Sequence, residues 1–293
     1  MSGRSCIFGE VLFDHFPDGK QVLGGAPFNV AWHLQAFGQA PRFISRVGDD
    51  AEGEAVRTAM SDWGMSTHDL QTDDQYPTGQ VKVEFVDGEP HYDIVRPCAY
   101  DAIAVQTQID ECELLYHGSL ALREETSRQT LAQLKVSGAK TVFIDVNLRT
   151  PWYQVSQVQQ MLQTADWVKL NTDELNLLYP AARGNARAVS DFLHEYGLRG
   201  LVLTHGAEGA ELLTDSGEHL SVAPEEDVAV VDTVGAGDAF ASIIILGLNK
   251  GWPLDVTLKR AQRFASKLVG NRGATVSDAA FYQYFINQWE LAT

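Results

Sequence analysis

The stretch Asp232-Thr233-Val234-Gly235-Ala236-Gly237-Asp238 joins two features that do chemistry together, a glycine turn and a carboxylate just beyond it. The run Val228–Val231 before it reads as a strand, and the apolar run after it reads as a helix. A Gly-Ala-Gly turn between the two lets a ligand approach the backbone closely. It also aims the unpaired N–H groups of a helix N-terminus at an anion. Asp238 then falls in the first helical turn. A carboxylate beside an anion site repels a bound phosphate unless it has a task, and the natural task is to take a proton from an attacking hydroxyl. Helix capping, with Asp favoured by the helix dipole, accounts for the same residue without any chemistry. A second glycine turn, Gly24-Gly25-Ala26-Pro27-Phe28-Asn29, opens another helix and offers an amide with both donors and an acceptor. Neither a GxxxxGK[ST] phosphate loop nor a GxGxxG dinucleotide turn occurs.

The elements that must position these turns are legible in the hydrophobic pattern. Ser5–Gly9, Arg42–Val47, Glu113–His117, Thr141–Asp145, Trp167–Leu170 and Leu201–Thr204 read as short strands bounded by turn residues. Helix-length amphipathic stretches lie between several of them: Ala26–Phe37, Ala51–Trp63, Thr126–Val136 and Val155–Thr164. That alternation predicts an α/β fold with a central, mostly parallel sheet and helices on both faces. Thr78–Arg96 breaks the rhythm. Gly79–Val86 and Pro90–Val95 flank an Asp87-Gly88 turn, and Val81, Val83 and Phe85 alternate with Lys82 and Glu84. Val11–Val22 looks similar, with a turn at Pro17-Asp18-Gly19. The two pieces predict a small antiparallel β lid, its strands near 11–23 and 78–96, inserted in a single domain spanning 1–293. Ala236–Leu248 is apolar on nearly every side and predicts a buried helix, with Leu254–Val269 and Ala279–Trp289 after it.

Composition narrows the function classes. A chain of 293 residues, 45% hydrophobic and 21% charged, can build a large core and is not disordered. Lys and Arg number 22 against 39 Asp and Glu, a net charge of −17, which argues against nucleic acid or anionic membrane as partner. Cys6, Cys98 and Cys112 form no CxxC pair and leave one thiol over from any pairing. With no signal-like start and no apolar run of spanning length, this predicts a cytoplasmic protein.

Taken together, Gly24-Gly25-Ala26-Pro27-x-Asn29-x-Ala31 followed by Gly38 and Gly48 resembles the N-terminal signature of the ribokinase-like (PfkB) carbohydrate kinases. Asp232-Thr233-x-Gly235-Ala236-Gly237-Asp238-Ala239-Phe240 resembles their C-terminal signature. The resemblance covers essentially the whole chain and departs at Ser242-Ile243, where small residues are usual. It implies a ribokinase-like fold and ATP-dependent phosphorylation of a sugar, with Asp238 as general base and the N–H groups of Gly235, Ala236 and Gly237 as anion hole. It implies that Asp14, in Gly9-Glu10-x-x-x-Asp14, accepts from adjacent sugar hydroxyls, with Gly24, Gly25 and Asn29 beside it. Asp145-x-Asn147-x-Arg149 resembles the DxNxR segment that faces the ligand crevice, and Arg96, at the end of the lid hairpin, would reach the same sugar. Gly118-Ser119 lines that crevice or is simple turn chemistry. Asn171-x-x-Glu174 resembles the NxxE motif, associated with Mg²⁺ through water. Thr204-x-Gly206-x-x-Gly209 resembles the nucleotide-side turn. A K⁺ site beside the anion hole would draw on Asp232, Val234, Asn271, Gly273 and Ser277.

Ala26-Pro27 after the paired glycines resembles fructokinases, so conversion of fructose to fructose 6-phosphate is the first expectation. A 2-keto-3-deoxygluconate-type acid sugar, paired by Arg96 and Arg149, is the alternative substrate. A sugar-binding regulator that kept the fold without turnover is the alternative from another class. The expected partners are a small sugar and ATP, and a homodimer formed through the lid.

Overall fold

Strands that are apolar at every position must be covered on both faces. The computed structural model describes residues 4–86, 89–104, 112–136, 138–224 and 229–291, and in it β1 (Ser5–Phe8) is buried at all four positions. The chain continues through β2 (Leu12–His15), β3 (Gln21–Gly24), α1 (Ala26–Ala36), β4 (Arg42–Gly48), α2 (Ala51–Asp62) and β5 (Leu70–Asp73). Then come β6 (Gly79–Val86), β7 (Glu89–Ile94), β8 (Leu114–His117), α3 (Glu125–Val136), β9 (Thr141–Asp145), α4 (Val155–Leu162) and β10 (Trp167–Asn171). Helices α5 (Thr172–Leu178) and α6 (Ala186–Glu195) lead to β11 (Gly200–Thr204), β12 (Ala210–Thr214) and β13 (His219–Val222). Three helices close the fold: α7 (Ala236–Lys250), α8 (Leu254–Leu268) and α9 (Ala279–Gln288).

The main sheet runs β13-β12-β11-β10-β9-β8-β1-β4-β5. Its strands are parallel from β11 to β5, and the β12–β13 hairpin closes one edge antiparallel. From β1 the chain moves outward to β4 and β5, then returns to the opposite side at β8. The reversal therefore lies between β1 and β8, where a crevice opens at the carboxyl ends of parallel strands. One face of the sheet is covered by α7, whose Phe240, Ile243, Ile244, Ile245 and Leu246 are all buried in a cluster with Ile7, Phe28, Phe143 and Phe264. The opposite face buries two further clusters, one around Ile144, Val168 and Phe192 and one around Phe8, Tyr100 and Leu115.

The expected lid strands form a separate small sheet of order β3-β2-β6-β7, two antiparallel hairpins joined through a parallel β2–β6 pairing. On its outer face Lys82 stands across from Asp93 in opposite-charge register, with Glu84 across from His91. Arg123 fastens it to the main body. The guanidinium is buried, grips both Asp101 oxygens at 2.7 and 2.8 Å, and donates to the Val95 carbonyl just past β7 at 2.7 Å. It also lies over the rings of Tyr100 and Trp152. Arg123→Ala leaves Asp101 as an uncompensated buried charge, and urea titration should find the chain destabilised by roughly 3–5 kcal/mol.

The described part of the expected strand Val228–Val231, residues 229–231, is not a strand. Val228 lies outside the described residues, and Ala229 to Val231 run as a loop whose Val231 and Asp232 N–H groups both donate to the Val269 carbonyl. β-propensity rewards packing on a pleated, half-buried surface. Val230 and Val231 are instead 63% and 57% exposed, with no strand paired to them among the described residues. Conversely β5, β12, β13, α5 and α6 form from stretches whose pattern did not single them out. Leu70–Asp73 and His219–Val222 are too polar and too short to announce themselves. The expected Asp87-Gly88 turn lies outside the described residues. Among the described residues no helix is long and apolar enough to cross a membrane.

Candidate active site

Helices α1 and α7 meet at the mouth of the crevice. Gly25 caps α1 at φ 110°, and a Cβ there would stand 2.7 Å from the Glu10 carbonyl, so only glycine lets this turn press against the chain leaving β1. One turn further on, Asn29 Nδ2 donates to Asp238 Oδ2 at 2.8 Å, joining residues 209 apart in sequence. Asn29 Oδ1 is buried with no hydrogen-bond donor of its own, an acceptor available to a ligand hydroxyl. Gly24 packs on Asp14, a Cβ there standing 3.9 Å from Asp14 Oδ2.

Gly235 takes the left-handed conformation (φ 79°) and begins α7 without any side-chain cap. The N-terminal N–H groups of a long helix are thus left facing the crevice, except that the Ala236 N–H is turned toward the Thr233 carbonyl at 3.3 Å. An anion seated here would have to replace that contact. Asp232 clamps the turn, accepting from the Val234 and Gly273 N–H groups at 3.0 Å each. Ala274 backs it, since a Cβ on Gly235 would lie 2.4 Å from Ala274 Cα. Helix α1 holds this backing loop as well. His33 lies 3.1 Å from the Ala274 carbonyl through Nε2 and 2.9 Å from the Tyr282 hydroxyl through Nδ1, and Trp32 Nε1 donates to the Val276 carbonyl. Burial pushes His33 down to about 3, so the ring is neutral and donates from Nε2. Asn271 caps the carbonyls of Lys267 and Leu268 at the end of α8, and Ser277 is exposed.

The floor is formed by strand ends. Asp145 closes β9 and is gripped by Lys169 of β10, whose Nζ lies 2.9 and 2.8 Å from its two oxygens. Past β9, Asn147 sits at φ 41°, an uncommon conformation for a residue with a side chain and one concentrated at ligand sites. Ser119 donates to its carbonyl at 3.3 Å, while Arg149 extends exposed over the crevice. Asn171 and Glu174 form a reciprocal capping box at the start of α5. Glu174 spends both oxygens on backbone, accepting from Leu148 N–H at 2.7 Å and Asn171 N–H at 2.9 Å. On the far side Thr172 Oγ1 and His205 Nδ1 are 2.8 Å apart, tying α5 to the turn after β11. Within that turn Gly206 (φ 59°) faces open space. Gly209 is sterically required, since its Cβ would lie 2.0 Å from the Val222 carbonyl.

Electrostatics mark the crevice as unusual. Burial raises Asp238 to about 6; the Asn29 amide, Lys169 and Arg149 pull it down, and Asp145 pushes it up. Burial also raises Glu10 to about 7, against the pull of Arg149 and Arg123. Asp14 is raised by burial, with Arg149 and His15 opposing. The structure thus brings Asp14, Gly24, Gly25, Asn29, Asn147, Arg149, Gly235, Gly237 and Asp238 to one crevice. Arg96 does not add a free cation to it, because its guanidinium is paired with Glu124 and lies over the Trp152 ring.

Glu10 and Lys169 were not legible as site residues. Each sits in or next to an apolar strand, Cys6-Ile7-Phe8 and Trp167-Val168-Lys169-Leu170, where a charge is expensive unless paired or functional. A lone charge inside a predicted buried strand was the available signal.

Comparison with known proteins agrees with this geometry. Residues 6–280 match the model of the pfkB family carbohydrate kinases. A fructokinase of Escherichia coli is 31% identical over 268 residues, covering 85% of each chain. The structure of a fructokinase from Xylella fastidiosa with bound ATP superposes with a TM-score of 0.83 at 21% identity over 99% of this chain and 100% of that one. A Vibrio cholerae fructokinase structure holding fructose, ADP and a calcium ion gives 0.79 at 25% identity, covering 97% and 99%. A ribokinase-like α/β fold, two glycine turns meeting at one carboxylate and a family match along almost the whole chain lead to one conclusion: this protein belongs to the pfkB family of carbohydrate kinases.

Proposed function

We propose that the protein transfers the γ-phosphoryl group of ATP to the primary hydroxyl of fructose, giving fructose 6-phosphate. The observation that carries the reading is Asp238: a carboxylate raised to about 6, oriented by Asn29, one turn into a helix whose uncapped N-terminus adjoins a left-handed glycine. Asp238 accepts the hydroxyl proton as the sugar oxygen bonds to the γ-phosphorus and the bond to ADP breaks. The N–H groups of the 235–237 turn hold the charge on the transferring phosphoryl. Asp14 accepts from neighbouring sugar hydroxyls, and Asn29 Oδ1 takes another. The turn at Gly206 borders the nucleotide, and the exposed Val230, Val231 and Val234 offer apolar surface for it to cover. Closure of the lid over the sugar would exclude water from the transfer.

The donor sets suit hard cations. Glu174 has both oxygens committed to backbone, so it would reach Mg²⁺ only through water; Mg²⁺ when bound neutralises phosphate charge. Asp232, the Val234 carbonyl and the loop of Asn271, Gly273 and Ser277 are the residues that would hold K⁺. Charge in the crevice favours a neutral sugar over an acid one. Glu10, Asp14 and Asp238 face Arg149, whereas Arg96 is already neutralised by Glu124.

An ADP-release assay with Mg-ATP across fructose, ribose, glucose, tagatose, adenosine and 2-keto-3-deoxygluconate, with and without K⁺, tests the reading. Turnover should be greatest with fructose. Preference for 2-keto-3-deoxygluconate would overturn the charge argument, and silence across the panel with ATP bound would favour a sugar-binding regulator.

A further inference from the structure

We propose that Lys169 is the central cation of the transfer site, a positioning residue that grips Asp145, acts on Glu174 and Asp238 through its charge, and is seated directly beneath the anion-binding turn. The inference rests on the reading of Asp238 as general base. Each of the three carboxyls comes from a different element: the end of β9, the first turn of α5 and the first turn of α7.

Geometry carries the argument. Lys169 is buried, 8% exposed, in the middle of a strand whose neighbours are apolar, a location a lysine does not occupy without partners. Asp145, 2% exposed, engages it through both oxygens, which uses two of three ammonium N–H groups. A Cβ added to Gly237 would stand 3.3 Å from Lys169 Nζ, so the ammonium lies against the turn that receives the phosphoryl. A side chain at Gly237 would meet the ammonium at a tight contact, so the cation and the turn are close neighbours.

The electrostatic couplings run the same way. Burial opposes the Lys169 charge, yet Asp145, Glu174 and Asp238 together hold its proton more tightly than usual. Around Asp238 stand Asn29 of α1, Glu10 beyond β1, Tyr116 of β8, Asp145 of β9, Arg149 after β9 and Lys169 of β10. Of these, Asp145 disfavours the Asp238 anion, and Lys169 and Arg149 favour it. Two residues on adjacent strands thus act on the base with opposite sign, so removing either one shifts it in a direction the other does not.

The test is the acid limb of kcat/KM against pH for the full-length chain with Mg-ATP and its best sugar, with folding followed by thermal melting. Lys169→Met should move the limb to higher pH by roughly one unit, because Asp238 then protonates more readily. Lys169→Arg should leave it in place. Asp145→Asn should move it to lower pH by a similar amount. If Lys169→Met does not fold, Asp145→Asn decides alone. A folded Lys169→Met or Asp145→Asn variant whose limb stays at the wild-type position overturns the proposal. Asp238→Asn separates the two levels: a limb that survives this change removes the base assignment itself, whereas a limb that vanishes here but ignores Lys169→Met removes only the role of Lys169.

Discussion

Asp238→Asn should lower kcat by about 10²–10⁴, the range over which a positioned proton acceptor contributes, while leaving sugar affinity close to wild type. The substitution keeps the shape of the side chain and can still accept from Asn29 Nδ2, so the α1–α7 contact and the crevice survive. What it removes is the ability to take a proton. Binding by calorimetry and turnover by single-turnover quench distinguish the two effects. Equal loss of sugar binding and turnover would point to a collapsed pocket, and undiminished turnover would end the assignment of Asp238. Glu10, raised to about 7 nearby, is the other carboxyl able to accept a proton in this crevice, and an Asp238→Asn variant with substantial residual activity would direct attention to it.

Gly235→Val should be nearly as damaging, by a different route. At φ 79° a residue with a branched side chain is strained, by roughly 1–2 kcal/mol. The larger effect is steric. The new Cβ would fall 2.4 Å from Ala274 Cα and 2.9 Å from the Ala274 carbonyl, backbone that His33 and Asp232 hold in place from two sides. The turn must therefore move, and its N–H groups lose their aim. Losing one such donor typically costs about 10²–10³ in rate, so kcat/KM for ATP should drop by at least that factor. The melting temperature should fall only moderately, because the turn lies at the rim of the core. A variant that folds, binds sugar and retains wild-type kcat/KM for ATP would show that the 235–237 turn is not the phosphoryl site.

How far the chain explains itself differs between fold and site. Alternating apolar strands and amphipathic helices were enough for the α/β class, for β1, β4 and β8 to β11, and for the wet-faced lid, because burial on two faces, one face or one stripe leaves distinct periodicities. The same logic misread Val228–Val231. Three valines satisfy β-propensity, but whether a strand forms depends on a neighbour to pair with, and among the described residues 229–231 pair with none. β12 and β13 were themselves invisible, being short, half-exposed and placed by the sheet they complete.

By itself the sequence determined the two glycine turns, the carboxylate beyond the second and the acidic, helix-covered architecture around them, since each is a local matter of backbone freedom, residue type or period. Only the tertiary structure decided that Asn29 meets Asp238 across 209 residues and that Arg96 is spent on Glu124. It likewise placed Lys169 beneath Gly237 and let α1 brace both the base and the loop behind the turn. Those facts depend on which strand lies beside which and on where burial strips charges of water. Contact between distant residues, and the shift in proton affinity that follows, arise from packing rather than from any pattern along the chain.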